Sequence, residues 1–99
     1  MKQRPLSRYV HVGQMLKLMD KRDSNGMPVE FDFVYCKPTT GELVHYDGCI
    51  LTSRHSLGNT VNIIARYRTG SDGERRTQPH RPKKFRIILI TQFNHATVI

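Results

Sequence analysis

The chain has 99 residues, 37% of them hydrophobic, and its 16 Lys and Arg residues against 8 Asp and Glu residues give a formal net charge of +8. This length accommodates one hydrophobic core and excludes a second domain built around a separate site. The charge attracts nucleic acid, an anionic membrane or an acidic protein, but no apolar stretch approaches the roughly 20 residues of a membrane span. The N-terminal sequence also lacks the continuous apolar stretch of a secretory signal, so we expect a cytoplasmic location and no membrane partner.

The N-terminal part combines an arm and a helix. Residues 1–10 are polar and basic without clear periodicity and are predicted to form a loose basic arm, followed by a single small β-rich domain over residues 11–99. Apolar residues then recur with the spacing i, i+3, i+4 and i+7, at Val12, Met15, Leu16 and Met19. This spacing predicts a short helix with one apolar face, which ends at Asn25-Gly26 before Pro28.

A hairpin is predicted next, because from Val29 onward apolar residues alternate with polar ones on both sides of a loop at 38–41. One face of the two strands is apolar and is formed by Phe31, Phe33, Tyr35, Val44 and Tyr46. The register places Asp32 opposite Asp47. Two carboxylates in these positions repel each other, so we expect a bulge near Asp47-Gly48.

The two cysteines lie on this hairpin. Its register places Cys36 opposite Leu43 and Cys49 opposite Glu30, so the thiols lie about six residues apart along the ribbon at about 3.3 Å per residue. This separation exceeds the reach of a disulfide. We therefore expect two reduced, partly buried thiols.

Candidate catalytic and metal-binding residues are few. Cys36, His45 and Cys49 form the one plausible metal set, but Cys49 lies four residues beyond His45, too far for a tetrahedral site. Cys36, His45 and Asp47 provide the residue types of an activated thiol, although such residues are common and the setting is an ordinary sheet. The chain has no phosphate-binding loop, serine elbow or HExxH motif. We expect no enzyme activity, no catalytic residue, no metal and no cofactor.

The second half of the chain begins with turn formers at Ser53, Ser56, Gly58 and Asn59. They predict a loop before a strand over residues 60–68. One face of that strand is formed by Val61, Ile63, Ala65 and Tyr67. A basic loop is predicted over residues 69–83, with a turn at Asp72-Gly73. Pro79 and Pro82 exclude a central strand there, because proline lacks the N–H that a ladder requires.

The C-terminal segment KKFRIILIT is predicted to form a strand buried on both faces, and Asn94-His95 to reverse the chain so that ATVI pairs back. The predicted elements are thus one short helix followed by about five strands. We expect a mainly β fold, either a small antiparallel SH3-like barrel or a strongly bent five-stranded sheet with one short N-terminal helix, because closure removes exposed edges. An open α+β sheet with the helix on one face is the alternative.

The strongest functional signal in the sequence is a cluster of basic residues. Eight of the sixteen Lys and Arg residues lie between residues 65 and 86, at Arg66, Arg68, Arg75, Arg76, Arg81, Lys83, Lys84 and Arg86. Such a density of cations neutralises phosphates by counterion release, which predicts nucleic-acid binding at the phosphate backbone without sequence preference. Tyr67, His80 or Phe85 could add stacking, but the apolar strand faces favour core packing for Tyr67 and Phe85. The alternatives are contact with an acidic protein surface and a plain solvated loop.

The order of the segments VGQMLKLMD, VEFDFVY, TGELV and FRIILITQFN, with a short terminal strand after them, resembles that of short uncharacterised proteins of Bacteroidetes phages and mobile elements. The resemblance extends over most of the chain. It implies a small accessory or virion protein, in the cytoplasm of a bacterial host or within a phage particle, and supplies no active site. The expected function is therefore a nucleic-acid-binding accessory module, with a virion structural or protein-interaction component as the alternative.

Overall fold

A computed structural model describes residues 8–55 and 59–99. These residues form helix α1 (Val12–Met19) and the strands β1 (Tyr9–Val10), β2 (Phe31–Cys36), β3 (Leu43–His55), β4 (Thr60–Ile64), β5 (Tyr67–Thr69), β6 (Arg75–Thr77), β7 (Lys83–Arg86), β8 (Ile90–Phe93) and β9 (Ala96–Val98). The predicted mainly β fold with one short helix is confirmed, although the described residues form nine strands rather than about five. Seven of them follow the order β1-β9-β8-β2-β3-β4-β7, and within the described residues this sheet does not close into a barrel.

Helix α1 is shorter than the sequence predicts. Met15 and Met19 of the predicted apolar stripe are buried, which confirms the face that packs on the sheet. The helix ends at Met19, and beyond it the carboxylate of Asp23 accepts the backbone N–H groups of Asn25 and Met27, at 2.9 and 3.0 Å. Such a local side-chain turn competes with further helical hydrogen bonds.

The two ends of the described chain meet at β9. Asn94 and His95 have φ values of 48° and 69°, the left-handed conformation of a tight two-residue hairpin turn, and they connect β8 to β9 as predicted. On its other side β9 pairs in parallel with β1. Tyr9–Val10 therefore form a strand instead of belonging to a loose arm, while residues 1–7 of that predicted arm lie outside the described residues.

The β2–β3 hairpin has the predicted bulge. Cys36 pairs with Leu43, as the sequence predicts. Cys49 pairs with Phe31 instead of the predicted Glu30, because the register shifts by one residue beside Gly48. The two cysteines lie far apart along the hairpin, and both are free thiols.

Gly48 also allows the chain to bend after β4. Its φ is 63°, and a Cβ atom there would lie 2.9 Å from the Cβ of Arg66. The N–H of Arg66 contacts the carbonyl oxygens of Asp47 and Gly48, at 3.2 Å each. The strand predicted over residues 60–68 is consequently interrupted, since β5 leaves β4 and pairs with residues 45–47 of β3. Tyr67 is therefore only half-buried and is not part of the core, contrary to the prediction.

The predicted loop at 69–83 forms the tip and the second strand of a hairpin. Strand β6 in this segment pairs with β5, which ends at Thr69, and the predicted turn at Asp72-Gly73 lies at the tip, where Gly73 has a φ of 79°. Ser53, a predicted turn former, lies within β3. Ser56 and Gly58 lie outside the described residues.

The segment KKFRIILIT is not one strand buried on both faces. It divides into β7, a 3-10 turn at Ile87–Leu89 and β8, and Ile88 in the turn is 84% exposed. Strand β7 pairs with β4, whereas β8 pairs with β2. The turn therefore connects the two ends of the central strand order β8-β2-β3-β4-β7.

Phe85 of β7 lies at the centre of the core. Its ring packs edge to face against those of Phe33, Tyr35 and Tyr46, with centroid distances of 5.0, 4.9 and 5.0 Å. The core role that the sequence favours for Phe85 is thus confirmed. In the described residues the core contains no buried charged or polar side chain.

Candidate nucleic-acid interface

The eight basic residues predicted to bind phosphate separate into three groups. Those in or beside the β5–β6 hairpin are Arg66, Arg68, Arg75 and Arg76. Those that line a cavity beside β7 are Arg81 and Lys83. Those that alternate to the other face of β7 are Lys84 and Arg86. Lys84 and Arg86 are separated from Lys83 because successive side chains of a strand point to opposite faces.

Three hairpin arginines bind carboxylates of the same chain: Arg66 binds Glu30 at 3.0 Å, Arg75 binds Asp47 at 2.7 Å, and Arg76 binds Asp72 at 2.9 Å. The guanidinium of Arg75 also lies 3.9 Å from the ring centroid of Tyr67. The hydrogen bond from Arg76 lowers the pKa of Asp72 and raises that of Arg76. All three arginine side chains are more than half exposed, so these pairs are weak, yet carboxylates of the same chain partly neutralise the charge of the hairpin.

The hairpin is fixed against the rest of the sheet. Ser71 donates hydrogen bonds from its N–H and its hydroxyl to the carboxylate of Glu42, at 3.0 and 2.7 Å, and these bonds lower the pKa of Glu42. Arg68 lies opposite Tyr46 on one side and Arg76 on the other. Its Nε is buried and has no hydrogen-bond partner among the described residues. Arg68 is thus the hairpin arginine with the least access to a ligand.

The remaining four cations, Arg81, Lys83, Lys84 and Arg86, are called here the β7 cation group. All four are exposed. In the part of the chain that the structure describes, no ion pair within 4.0 Å joins any of them to a carboxylate. Other described cations, such as Arg8, Lys17 and Arg54, also have no such ion pair, but the four residues of the β7 cation group lie close together in sequence, on and beside the strand that ends the sheet order.

A cavity of about 330 Å³ lies between β7 and the segment that precedes it. Its apolar wall includes Ala65, Pro79 and Pro82, and its polar groups include Gln78, Arg81 and Lys83. The buried rings of Tyr46 and Phe85 form its base. The ammonium of Lys83 lies 3.4 Å from the hydroxyl of Tyr46, which holds the cation at the cavity. The arrangement can accept an anionic group beside an apolar one.

The catalytic set considered from the sequence is not assembled. The thiol of Cys36 contacts the carbonyl oxygen of Gly41 at 3.8 Å, while His45 pairs with Asp32 at 2.7 Å. Asp47 binds Arg75 instead. No general base therefore activates the thiol of Cys36 in this arrangement.

The metal set considered from the sequence is not assembled either. Cys49 is fully buried, and burial, followed by the nearby carboxylates, raises its thiol pKa far above the ordinary value. A thiol that stays protonated is a poor ligand. The described residues contain no group of three His, Cys, Asp or Glu side chains placed to hold a metal ion.

Two features escaped the sequence reasoning. His95 lies 3.6 Å from the carboxylate of Asp32 that also binds His45, a cluster formed by residues distant in sequence. The cavity was also missed, because Pro79 and Pro82 indicated only that a strand was absent. The signal in the sequence that could have indicated the cavity is the apolar character of these two prolines between basic residues.

Comparisons with protein-family models, curated proteins and solved structures found no match to this chain. Among the described residues, no helix combines the length and the apolar character that crossing a bilayer requires.

Proposed function

We propose that this chain is a non-enzymatic basic module that binds nucleic acid through its phosphates, as an accessory protein of a phage or mobile element, in the host cytoplasm or the phage particle. The β7 cation group is the observation that supports the proposal, because its charges have no carboxylate partner among the described residues and lie together on one segment. Free cations at adjacent positions neutralise phosphates and release counterions. The hairpin arginines are secondary contacts, since phosphate must displace their own carboxylates.

A small SH3-like barrel is the finer architecture that we propose for this module. Its support is the central order β8-β2-β3-β4-β7, whose two end strands are joined by the turn Ile87–Leu89. The hydroxyl of Tyr35 in β2 also accepts the N–H of Arg86 in β7 at 3.1 Å, across the interior. Small barrels of this kind present charged faces and loops to nucleic acid.

The test is a salt titration of DNA and RNA binding by the parent and by a variant in which all four residues of the β7 cation group are replaced by Gln. At about 0.9 units per phosphate contact on duplex DNA and about 0.7 on a single strand, the loss of four contacts should make the dependence of log K on log salt shallower by about three to four units. The weakening should be similar for all sequences, because phosphate contacts carry no base information.

The matched control removes the same charge elsewhere, by Gln at four exposed cations on or beside α1, namely Arg8, Lys17, Lys21 and Arg22. This variant should keep the parent slope. Equal losses in both variants would show that net charge alone attracts the nucleic acid. If the parent binds neither DNA nor RNA at low salt, the proposal fails.

A second candidate function, a protein-interaction or virion component, is favoured by a different observation. An apolar groove of about 510 Å³ is lined by Val12, Ile87, Ile88, Ile90, Val98 and Ile99. Ile88 and Ile99 are 84% and 56% exposed, and Arg86 precedes the groove in the chain. A net charge of +8 disfavours a second copy as the occupant and favours an acidic protein segment with an apolar side chain.

Identification of what co-purifies with the chain at low salt separates the two functions. A nuclease-sensitive component supports nucleic-acid binding. An acidic protein that is lost in Ile88→Asp and retained in Leu43→Asp supports the interaction role, because Leu43 is also exposed, at 56%, but lies away from the groove.

A further inference from the structure

We propose that the cavity beside β7 holds one base of single-stranded nucleic acid while Arg81 and Lys83 bind the adjacent phosphates. The inference rests on the proposed function and adds to it the form of nucleic acid and the residues that select it. A duplex keeps its bases stacked and presents only its backbone and groove edges, so this cavity distinguishes single strands from duplexes.

The size and lining of the cavity suit a base. Its volume of about 330 Å³ lies at the lower end of the range for small-ligand sites, which combine apolar walls with a few polar groups. Ala65, Pro79 and Pro82 provide apolar surface for the flat faces of a ring. The amide nitrogen of Gln78 donates to the carbonyl oxygens of Thr77 and Arg76, at 3.2 and 3.4 Å, so its side-chain oxygen is available to the polar edge of a base.

The cations are placed where the phosphates of that nucleotide would lie. Arg81 and Lys83 both line the cavity, and no ion pair with a described carboxylate occupies either one. The ammonium of Lys83 also lies 5.6 Å and 5.8 Å from the ring centroids of Tyr46 and Phe85. An apolar site that is also lined by cations recognises a group that is flat and apolar on one side and anionic on the other, which describes a nucleotide.

The segment before β7 is already ordered for binding. Proline fixes φ at Pro79 and Pro82, and the N–H of Arg81 donates to the carbonyl oxygen of Pro79 at 2.9 Å. Arg81 and Lys83 are separated only by Pro82, so their spacing changes little on binding. Binding therefore costs less ordering entropy than it would in a flexible basic loop.

The experiment compares three fluorescent probes at one low salt concentration: a thymidine pentamer, a pentamer of abasic sites with the same phosphates, and a short duplex. We expect the thymidine pentamer to bind at least about fivefold more tightly than the abasic pentamer, the low end of what one held base contributes. Ala65→Leu, which fills the cavity, should reduce thymidine binding to the abasic level and leave abasic binding unchanged.

Neighbouring lysines on β7 supply the matched controls. Lys83→Gln should weaken thymidine binding more than abasic binding, because it is the base held in the cavity that keeps a phosphate beside Lys83, whereas Lys84→Gln on the opposite face should weaken both probes by the same factor. If Ala65→Leu does not fold, Gln78→Ala replaces it, and amide NMR shifts on addition of thymidine 5′-monophosphate provide a direct readout. Those shifts should include Ala65 and Gln78 and exclude Ile88.

Each result decides a different statement. Equal affinity for thymidine and abasic pentamers overturns the base site and leaves phosphate binding intact. The monophosphate binding as tightly as the pentamer overturns the single-strand assignment and identifies a free nucleotide as the ligand. If no probe binds, the proposed function and this inference fail together.

Discussion

Replacement of Phe85 by Ala tests the packing that places the β7 cation group. Phe85 is 1% exposed, and its ring contacts three other aromatic rings at centroid distances of 4.9 to 5.0 Å. Truncation of a buried Phe costs about 3 to 5 kcal/mol, and edge-to-face contacts place this site in the upper part of that range. A domain of this size has a free energy of unfolding of only about 5 to 15 kcal/mol.

The assay is thermal and urea unfolding followed by circular dichroism. At about 4 to 8 °C per kcal/mol, a loss of about 4 to 5 kcal/mol in Phe85→Ala should lower the melting temperature by about 16 to 40 °C. Tyr67→Ala is the control, because Tyr67 is half-buried and has Arg75 over its ring, a contact that contributes about 0.5 to 1 kcal/mol. A Phe85→Ala protein that melts within a few degrees of the parent would refute the central position of this ring and the alternation of side chains along β7.

Three further outcomes are expected. Gly48→Ala should destabilise the protein by about 2 kcal/mol or more in urea unfolding, since a left-handed φ and a Cβ contact with Arg66 both oppose the new side chain. Gly13→Ala should stabilise α1 by about 0.5 to 1 kcal/mol, because no atom outside its chain neighbours and its own helix backbone lies within 4 Å of the Cβ position, and a loss of stability would contradict this helix. Only the thiol of Cys36 should react with a disulfide reagent before denaturation, because Cys49 is buried, and a mass two protons lower that reductant restores would contradict the hairpin register.

The alternation of apolar and polar residues, together with the turn-forming residues of the loop, was enough to predict the first hairpin. The repulsion between Asp32 and Asp47 predicted the bulge beside Gly48, and Asn94-His95 predicted the last turn. These features depend on neighbours in sequence or on one pairing, so local rules identify them.

The interruption after β4 could not be predicted, because it depends on a distant contact. The residues 60–68 alternate like one strand, but the N–H of Arg66 binds carbonyl oxygens of β3. The ion pairs of Arg66 and Arg75 have the same origin, since their carboxylate partners lie in segments distant in sequence. Sequence could therefore predict the total positive charge of the candidate site but not which cations remain free.

Strand β7 pairs with β4 on one side and ends the described order of the sheet. The open N–H and C=O groups of such a terminal strand can add a strand from another molecule, and lysine side chains are a common protection against this aggregation. Lys83 and Lys84 lie on this terminal strand, where their charges oppose such pairing between two copies of the chain. Under the proposed function, phosphate bound along β7 would neutralise these charges and so weaken that protection.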